Sequence, residues 1–299
     1  MNLDDLVYKP GLLKAQRILV TGGGSGLGRV MTEAMAMLGA KVYICGRRGG
    51  LLEETAGELN AAHSANGGKV VPLTCDIRDD AAIQAMLDAI WRDGGALTGL
   101  VNNAAGNFVS RTEDLSPRGF DAVANTVFRG SFYMTLECGK RWLAEGRKAS
   151  VVSILTTWVW NGSPFTVPSA MSKAGLNAMT QSLAVEWGGR GIRFNAIAPG
   201  LFPTEGMSAR LNPGGGEHTM EGNPMGRNGR MPELANLAVF LMGPGSEYLN
   251  GQTIAIDGAQ YQATGGNFSS LASWTDEDWQ RARQSIQQRN ASDRSQREA

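Results

Sequence analysis

Ser169 and Lys173 stand four residues apart in Ser169-Ala170-Met171-Ser172-Lys173, so on a helix a hydroxyl and an ammonium share one face. Such a pair can donate to a carbonyl oxygen and keep the field beside it positive while charge develops there. Early in the chain, Thr21-Gly22-Gly23-Gly24-Ser25-Gly26-Leu27-Gly28 follows the apolar run Ile18-Leu19-Val20. Gly22 begins a tight turn, Gly26 admits backbone close to a pyrophosphate, and Gly28 lets the next helix pack on its strand. The first amides of that helix then face phosphate. After the next apolar run comes Gly46-Arg47-Arg48, where an acid would hold free ribose hydroxyls and repel a 2′-phosphate. Guanidinium groups bind that phosphate through charge-assisted, often bidentate bonds. The expected cofactor is NADP(H); the alternative is a solvated basic turn.

Holding these groups together takes short strands feeding helices. Runs apolar on consecutive positions predict strands at Arg17–Thr21, Lys41–Cys45, Lys69–Thr74, Gly99–Asn102, Ala149–Ile154, Arg193–Ala198 and Thr253–Asp257, covered on both faces as in a parallel sheet. Between them lie helical stripes: Val30, Met31, Ala34, Met35 and Leu38, closed by Gly39; Leu176, Met179, Leu183 and Trp187; Leu234, Leu237, Ala238 and Leu241. Ser116-Pro117 reads as an N-cap with Pro at the first helical position, opening one long helix toward Trp142. The alternation predicts an α/β fold, a single doubly wound Rossmann-type parallel sheet of about seven strands with helices on both faces. That domain is expected over residues 1–268. Residues 269–299 form a C-terminal extension: a helix starting at Thr275-Asp276-Glu277-Asp278 and running to about Gln288, then a polar tail from Asn290 to Ala299.

Bulk numbers narrow the function. Lys+Arg 28 against Asp+Glu 28 leaves no global charge to attract nucleic acid or an anionic membrane. No apolar run approaches the roughly 20 residues of a membrane span, and the start has neither basic nor apolar leader character, so a cytoplasmic protein is expected. Cys45, Cys75 and Cys138 lack metal-ligand spacing and read as reduced, buried thiols. No cluster of His, Cys and carboxylates suggests a metal, and His63 and His218 have no triad partners. The Gly-rich stretch Leu211–Gly222 is a substrate lid or a plain surface loop.

The chain resembles the short-chain dehydrogenase/reductase family over nearly its whole length. The likeness rests on the glycine turn, Asp76-Ile77 after the third strand, Asn102-Asn103-Ala104-Ala105-Gly106 at the fourth, Lys173, and Pro199-Gly200 with Thr204 beyond the sixth. Within the family it is similar to the 2,4-dienoyl-CoA reductase branch. Asn103–Phe108, Leu115-Ser116-Pro117, Val167-Pro168-Ser169-Ala170, Leu183–Trp187 and the run from Glu233 to Ala238 carry that similarity, from about residue 12 to 268.

The resemblance implies NADPH-dependent reduction of an unsaturated acyl thioester. Thr21, Gly22, Gly24, Ser25, Gly26 and Leu27 would hold the pyrophosphate end, with Arg47 and Arg48 on the 2′-phosphate. Asp76 and Ile77 would meet the adenine. Asn103, Ala104, Ala105, Gly106, Pro199, Gly200 and Thr204 would line the rest, and Lys173 would hold the nicotinamide ribose. Ser169 stands where the wider family has a tyrosine, as it does in this branch, and would donate to the thioester oxygen. Thr156 occupies the place of the family's active-site serine. Asn107, Phe108, Trp158, Phe165 and Phe202 are expected to meet the acyl group. A homotetramer joined through Ser116–Glu145 and Ser172–Gly188 also follows from the resemblance.

Two positions depart from that branch. Trp158 replaces a proton-donating tyrosine, and an indole is no acid near neutral pH. Val127-Phe128-Arg129-Gly130 carries an arginine where an asparagine is usual. Arg129 either points into the site to stabilise a dienolate, or turns outward to solvent or a subunit contact. The proton would come from ordered water or from Tyr133, one turn beyond Arg129 and otherwise a core residue. Trp158 becomes an apolar wall. The alternatives in function are a carbonyl or enoyl substrate, or an NADP(H)-binding protein with little turnover.

Overall fold

A computed structural model describes residues 1–204, 223–264, 271 and 273–286. Seven parallel strands form one sheet in the order β3-β2-β1-β4-β5-β6-β7. They are β1 (Arg17–Thr21), β2 (Lys41–Gly46), β3 (Lys69–Thr74), β4 (Gly99–Asn102), β5 (Ala149–Ile154), β6 (Ile192–Pro199) and β7 (Thr253–Ile256). The register pairs Val20 with Ile44 on one side and with Val101 on the other. Helices α1 (Gly26–Met37), α2 (Gly49–His63), α3 (Asp80–Arg92), α4 (Pro117–Ala124), α5 (Gly130–Glu145), α6 (Trp158–Asn161), α7 (Val167–Gly188), α8 (Met231–Met242) and α9 (Gln260–Ala263) alternate with the strands. Residues 276–286 are helical as well. The expected strands lie where the apolar runs placed them, with ends moved by a residue at β2, β6 and β7.

Consecutive apolar positions have the predicted cause: every residue of β4 and β5 is buried. One core packs α1 and α8 against the sheet through Met31, Met35, Leu234, Ala238 and Leu241. The other packs α3, α5 and α7 on the opposite face through Ile83, Leu87, Met134, Trp142 and Trp187. Trp142 is fully buried, and its indole N–H donates to the Leu97 carbonyl at 2.7 Å. The cysteines are free and buried, as expected. His63 pairs with Glu33 at 3.1 Å.

One helix differs from expectation. The single helix predicted from Ser116 toward Trp142 is interrupted by a π turn over Asn125–Arg129, closed by the Gly130 amide donating to the Asn125 carbonyl. Ser116 still caps its start, accepting from the Gly119 amide at 3.1 Å. Thr126 donates back to the Ala122 carbonyl at 3.0 Å, a side-chain bond that bends helices. The extra residue in the turn rotates the helical face beyond it, and Arg129 turns with that face. Among the described residues no helix is long and apolar enough to cross a membrane. Leu211–Gly222, His218 and Asn290–Ala299 lie outside the described residues.

Candidate active site

A cleft of about 1630 Å³ lies beyond the carboxyl ends of the strands, from β2 and β3 at one end to β5, β6 and β7 at the other. Ligands of open α/β sheets bind at that edge. Three strand spacings separate β2 from β5, roughly 14 Å at about 4.8 Å each, a span suited to an extended dinucleotide.

The turn after β1 is shaped for close backbone approach. Gly22 has φ +67°, and a Cβ there would stand 3.1 Å from the Ala104 backbone. At Gly28 a Cβ would come within 2.4 Å of the Gly22 carbonyl oxygen, so helix and turn could not meet. Thr21, expected to touch cofactor, instead organises the turn from beneath: its hydroxyl accepts from the amides of Asn103 and Ala104 at 3.0 and 2.9 Å. It is fully buried. Thr55 donates to the Gly24 carbonyl at 3.0 Å and ties the turn to α2. Neither tie was foreseen, because each joins segments far apart in the chain.

Gly22, Gly24, Ser25, Gly26 and Leu27 line the cleft, followed by Arg47, Arg48, Asp76 and Ile77. Both arginines are exposed. Arg47 has no hydrogen bond or ion pair among the described residues, and Arg48 reaches only Ser25 at 3.5 Å. Two guanidinium groups with no ion pair among the described residues fit an anionic ligand. The Arg78 guanidinium, which donates to both carboxylate oxygens of Asp76, holds that carboxyl below the usual range, and Arg47 lies near enough to lower it further. Asn103, Ala104, Ala105, Gly106, Pro199, Gly200 and Thr204 continue the wall.

At the far end Lys173, Ser169 and Thr156 come together. Lys173 is 5% exposed, and its ammonium donates to the Ile154 carbonyl. Burial alone pushes its pKa down to about 8. Ser169, on the first turn of α7, is buried and its hydroxyl has no partner among the described residues. Thr156 Oγ1 is buried and equally unpartnered. A buried hydroxyl without a partner is uncommon in proteins; Thr156, in the same lining as the unpartnered Ser169 hydroxyl and an ammonium, suits a ligand oxygen.

Of the expected substrate contacts, Asn107, Trp158 and Phe202 line the cleft. Phe108 and Phe165 do not. Phe108 packs with Val123, Val127 and Leu155 under α4, and Phe165 is 55% exposed at φ +62°. Arg129 is not brought to the cleft either. Beyond the π turn its guanidinium donates to the Arg78 carbonyl at 3.2 Å, pairs with Asp80 at 3.4 Å, and lies 4.9 Å from the Tyr133 ring centre. The inward alternative for Arg129 is corrected accordingly, and Tyr133 does not line the cleft but packs half-buried against the second core, as its core alternative had it. Thr126, Ser163, Gln260, Tyr261 and Thr264 line the cleft without having been singled out. A signal existed for the last three: they come after the seventh strand, on the ligand edge.

Fold and cleft define a dinucleotide-binding oxidoreductase of the α/β class. A family profile described as enoyl-(acyl carrier protein) reductase matches residues 22–259. A protein of Caenorhabditis elegans named probable 2,4-dienoyl-CoA reductase 3 [(3E)-enoyl-CoA-producing] is 40% identical over 91% of this chain and 90% of its own length. Among solved structures, a citronellol catabolism dehydrogenase of Pseudomonas aeruginosa PAO1 aligns with TM-score 0.75 at 36% identity, over 86% of this chain and all of that one. A Pseudomonas aeruginosa RhlG/NADP active-site complex aligns with TM-score 0.76 at 27% identity, over 85% of this chain and 100% of that chain. The chain belongs to the short-chain dehydrogenase/reductase family, whose members use nicotinamide cofactors.

Proposed function

We propose that this chain is an NADPH-dependent reductase of an unsaturated acyl thioester, of the 2,4-dienoyl-CoA kind. The observation that carries the reading is the pair of unpartnered hydroxyls, Ser169 and Thr156, beside a buried ammonium at the reacting end. When bound, the reduced nicotinamide supplies the hydride that the far carbon of a conjugated thioester takes up. Ser169 donates to the thioester oxygen as negative charge gathers there, and Thr156 stands ready as a second donor. Preorganised donors of this type contribute about 3 kcal/mol each to lowering a barrier. Lys173 keeps the field positive, and in a low-dielectric site its charge acts more strongly than in water. Trp158, Leu155 and Phe202 supply apolar surface for the acyl chain.

Arg47 and Arg48 select the phosphorylated cofactor by pairing with its 2′-phosphate. The C. elegans relative's printed name supports the acyl-CoA class of substrate. Exposed Phe128, Phe132 and Val185 on the helices expected to join copies support a homotetramer. The test is absorbance at the reduced-nicotinamide band with NADPH and a 2,4-dienoyl-CoA. Consumption is expected. Cofactor binding without consumption across dienoyl, enoyl and carbonyl substrates would refute the reading.

A further inference from the structure

We propose that Tyr261 is the proton donor of this reaction. The inference deepens the proposed function and rests on it. Reduction of a conjugated thioester leaves a dienolate whose α-carbon needs a proton, from ordered water or from a protonated acid within the cleft. Among the described residues the lining offers few such acids. Asp76 is held ionised by Arg78, at the adenosine end. Burial pushes the Cys75 thiol up to about 11 and raises Cys45 as well, both beside the strands that carry Asp76 and Arg47. Lys173 spends one of its three N–H donors on the Ile154 carbonyl, and the others are expected on the nicotinamide ribose. Ser169 and Thr156 are aliphatic alcohols, far weaker acids than a phenol, and Trp158 is an indole.

Among the five tyrosines, Tyr8 donates to the Asn236 carbonyl, Tyr43 to Asp93, Tyr133 packs under Arg129, and Tyr248 is fully exposed. Tyr261 alone lines the cleft. It comes after β7, on the side of the sheet that carries Thr156 and Ser169. Two devices fix it. The Asp257 carboxylate accepts from the amides of Ala259 and Tyr261 at 3.0 and 2.9 Å. That clasp holds Ala259 at φ +65°, a left-handed conformation that a residue with a Cβ adopts only at a cost. The Trp160 ring, on α6, stacks on the Tyr261 ring at 4.6 Å and 23°. Trp160 shares its single-turn helix with Trp158. The backbone and ring are thus restrained, while the Tyr261 hydroxyl has no partner among the described residues.

The step balances. Hydride arrival forms a C–H bond at the far carbon and moves an electron pair onto the thioester oxygen held by Ser169. The Tyr261 O–H bond then breaks, a C–H bond forms at the α-carbon, and the thioester carbonyl re-forms. The phenolate takes a proton from water at the open mouth. One dienoyl thioester, one NADPH and one proton give one enoyl thioester and NADP⁺.

The test uses the full chain, NADPH and 2,4-hexadienoyl-CoA, comparing wild type with Tyr261→Phe. Expected is a fall in kcat of about 100-fold or more, with KM changed less than about three-fold. Calorimetric affinity for NADPH and for a saturated acyl-CoA should hold, since the lost contact acts in the transition state. Turnover of Tyr261→Phe should rise in proportion to added buffer acid, a rescue that wild type does not show. Trp160→Leu, which keeps the phenol but frees its ring, should lose several-fold in kcat and regain part of it with buffer acid. A kcat for Tyr261→Phe near the wild-type value overturns the proposal. So does a slow variant with weakened acyl-CoA binding and no rescue, which would mark a packing residue. Wild type that consumes no NADPH overturns the functional reading and this inference together, whereas an unaffected Tyr261→Phe beside active wild type overturns only the inference.

Discussion

Replacing Lys173 by Met should separate what the amine costs the fold from what it gives the site. Lys173 is buried, donates to one carbonyl, and has no carboxylate partner among the described residues. Burial lowers its pKa from 10.5 to about 8. At about 1.4 kcal/mol per unit, that displacement costs the folded state about 3 kcal/mol at neutral pH. Between pH 8 and 10.5 the unfolded lysine keeps its proton while the folded one has shed it. The unfolded state then binds more protons, so stability rises with pH across that window, and the penalty present below pH 8 fades. Lys173→Met has no such dependence. Wild type should therefore gain on the variant by most of those roughly 3 kcal/mol between about pH 7 and pH 10. For a chain of this size that is a relative melting shift of about 6 °C, at about 2 °C per kcal/mol. Calorimetric scans of both proteins without ligand, at half-unit pH steps, measure it. The same variant should bind NADPH more weakly. A difference in melting temperature that stays flat from about pH 7 to 10 would refute the claim that desolvation governs this lysine.

Arg47→Ala with Arg48→Ala should weaken NADPH by about 100-fold, from about 1.5 kcal/mol per charge-assisted bond, and leave NADH unchanged; calorimetry with both nucleotides reads it. Equal losses for the two nucleotides would put the arginines elsewhere than on the 2′-phosphate. Trp142→Phe removes the donor to the Leu97 carbonyl inside the second core and should cost about 1–3 kcal/mol in urea unfolding, with turnover intact. Arg129→Ala breaks an exposed pair with Asp80, worth at most about 1 kcal/mol, and should leave kcat within about two-fold. A hundred-fold drop in kcat for Arg129→Ala would mean that the guanidinium reaches the reacting atoms after all.

What could be read from the chain beforehand divides along the cleft. The end expected to hold adenosine is written locally: Gly22 to Gly28 turns β1 into α1, and Arg47 and Arg48 leave β2 directly, so motif and cleft lining nearly coincide. Strand positions were equally legible, because strands buried on both faces carry apolar residues on consecutive positions, as Leu100-Val101 in β4 and Val151-Val152 in β5 do. Side-chain direction on the long helix was not legible. Periodicity assumes 3.6 residues per turn, and the π turn at Asn125–Arg129 inserts one residue, carrying Arg129 and Tyr133 off the face that strict counting gave them. Phe108 failed for a related reason: its neighbour Asn107 lines the cleft, while its own ring is drawn under α4 by apolar packing that no local pattern announces.

The reacting end is assembled from segments that meet only in the folded chain: Thr156 and Trp158 after β5, Ser169 and Lys173 on α7, Phe202 after β6, Tyr261 after β7. A proton donor therefore need not keep its place in the sequence to keep its place in the cleft. Trp158 offers no acid at the position where the resemblance implies one, while its short helix carries Trp160, whose ring stacks on that of Tyr261 just after the last strand. Such an exchange asks little of the fold, since both segments already border the same edge of the sheet. It also ties two positions together: an indole at 158 leaves the proton for the α-carbon to another group or to ordered water. If Tyr261 is the donor, placing a phenol at 158 with Trp158→Tyr in the Tyr261→Phe background should return part of the lost kcat. A double variant no faster than Tyr261→Phe alone would show that the two positions do not address the same carbon.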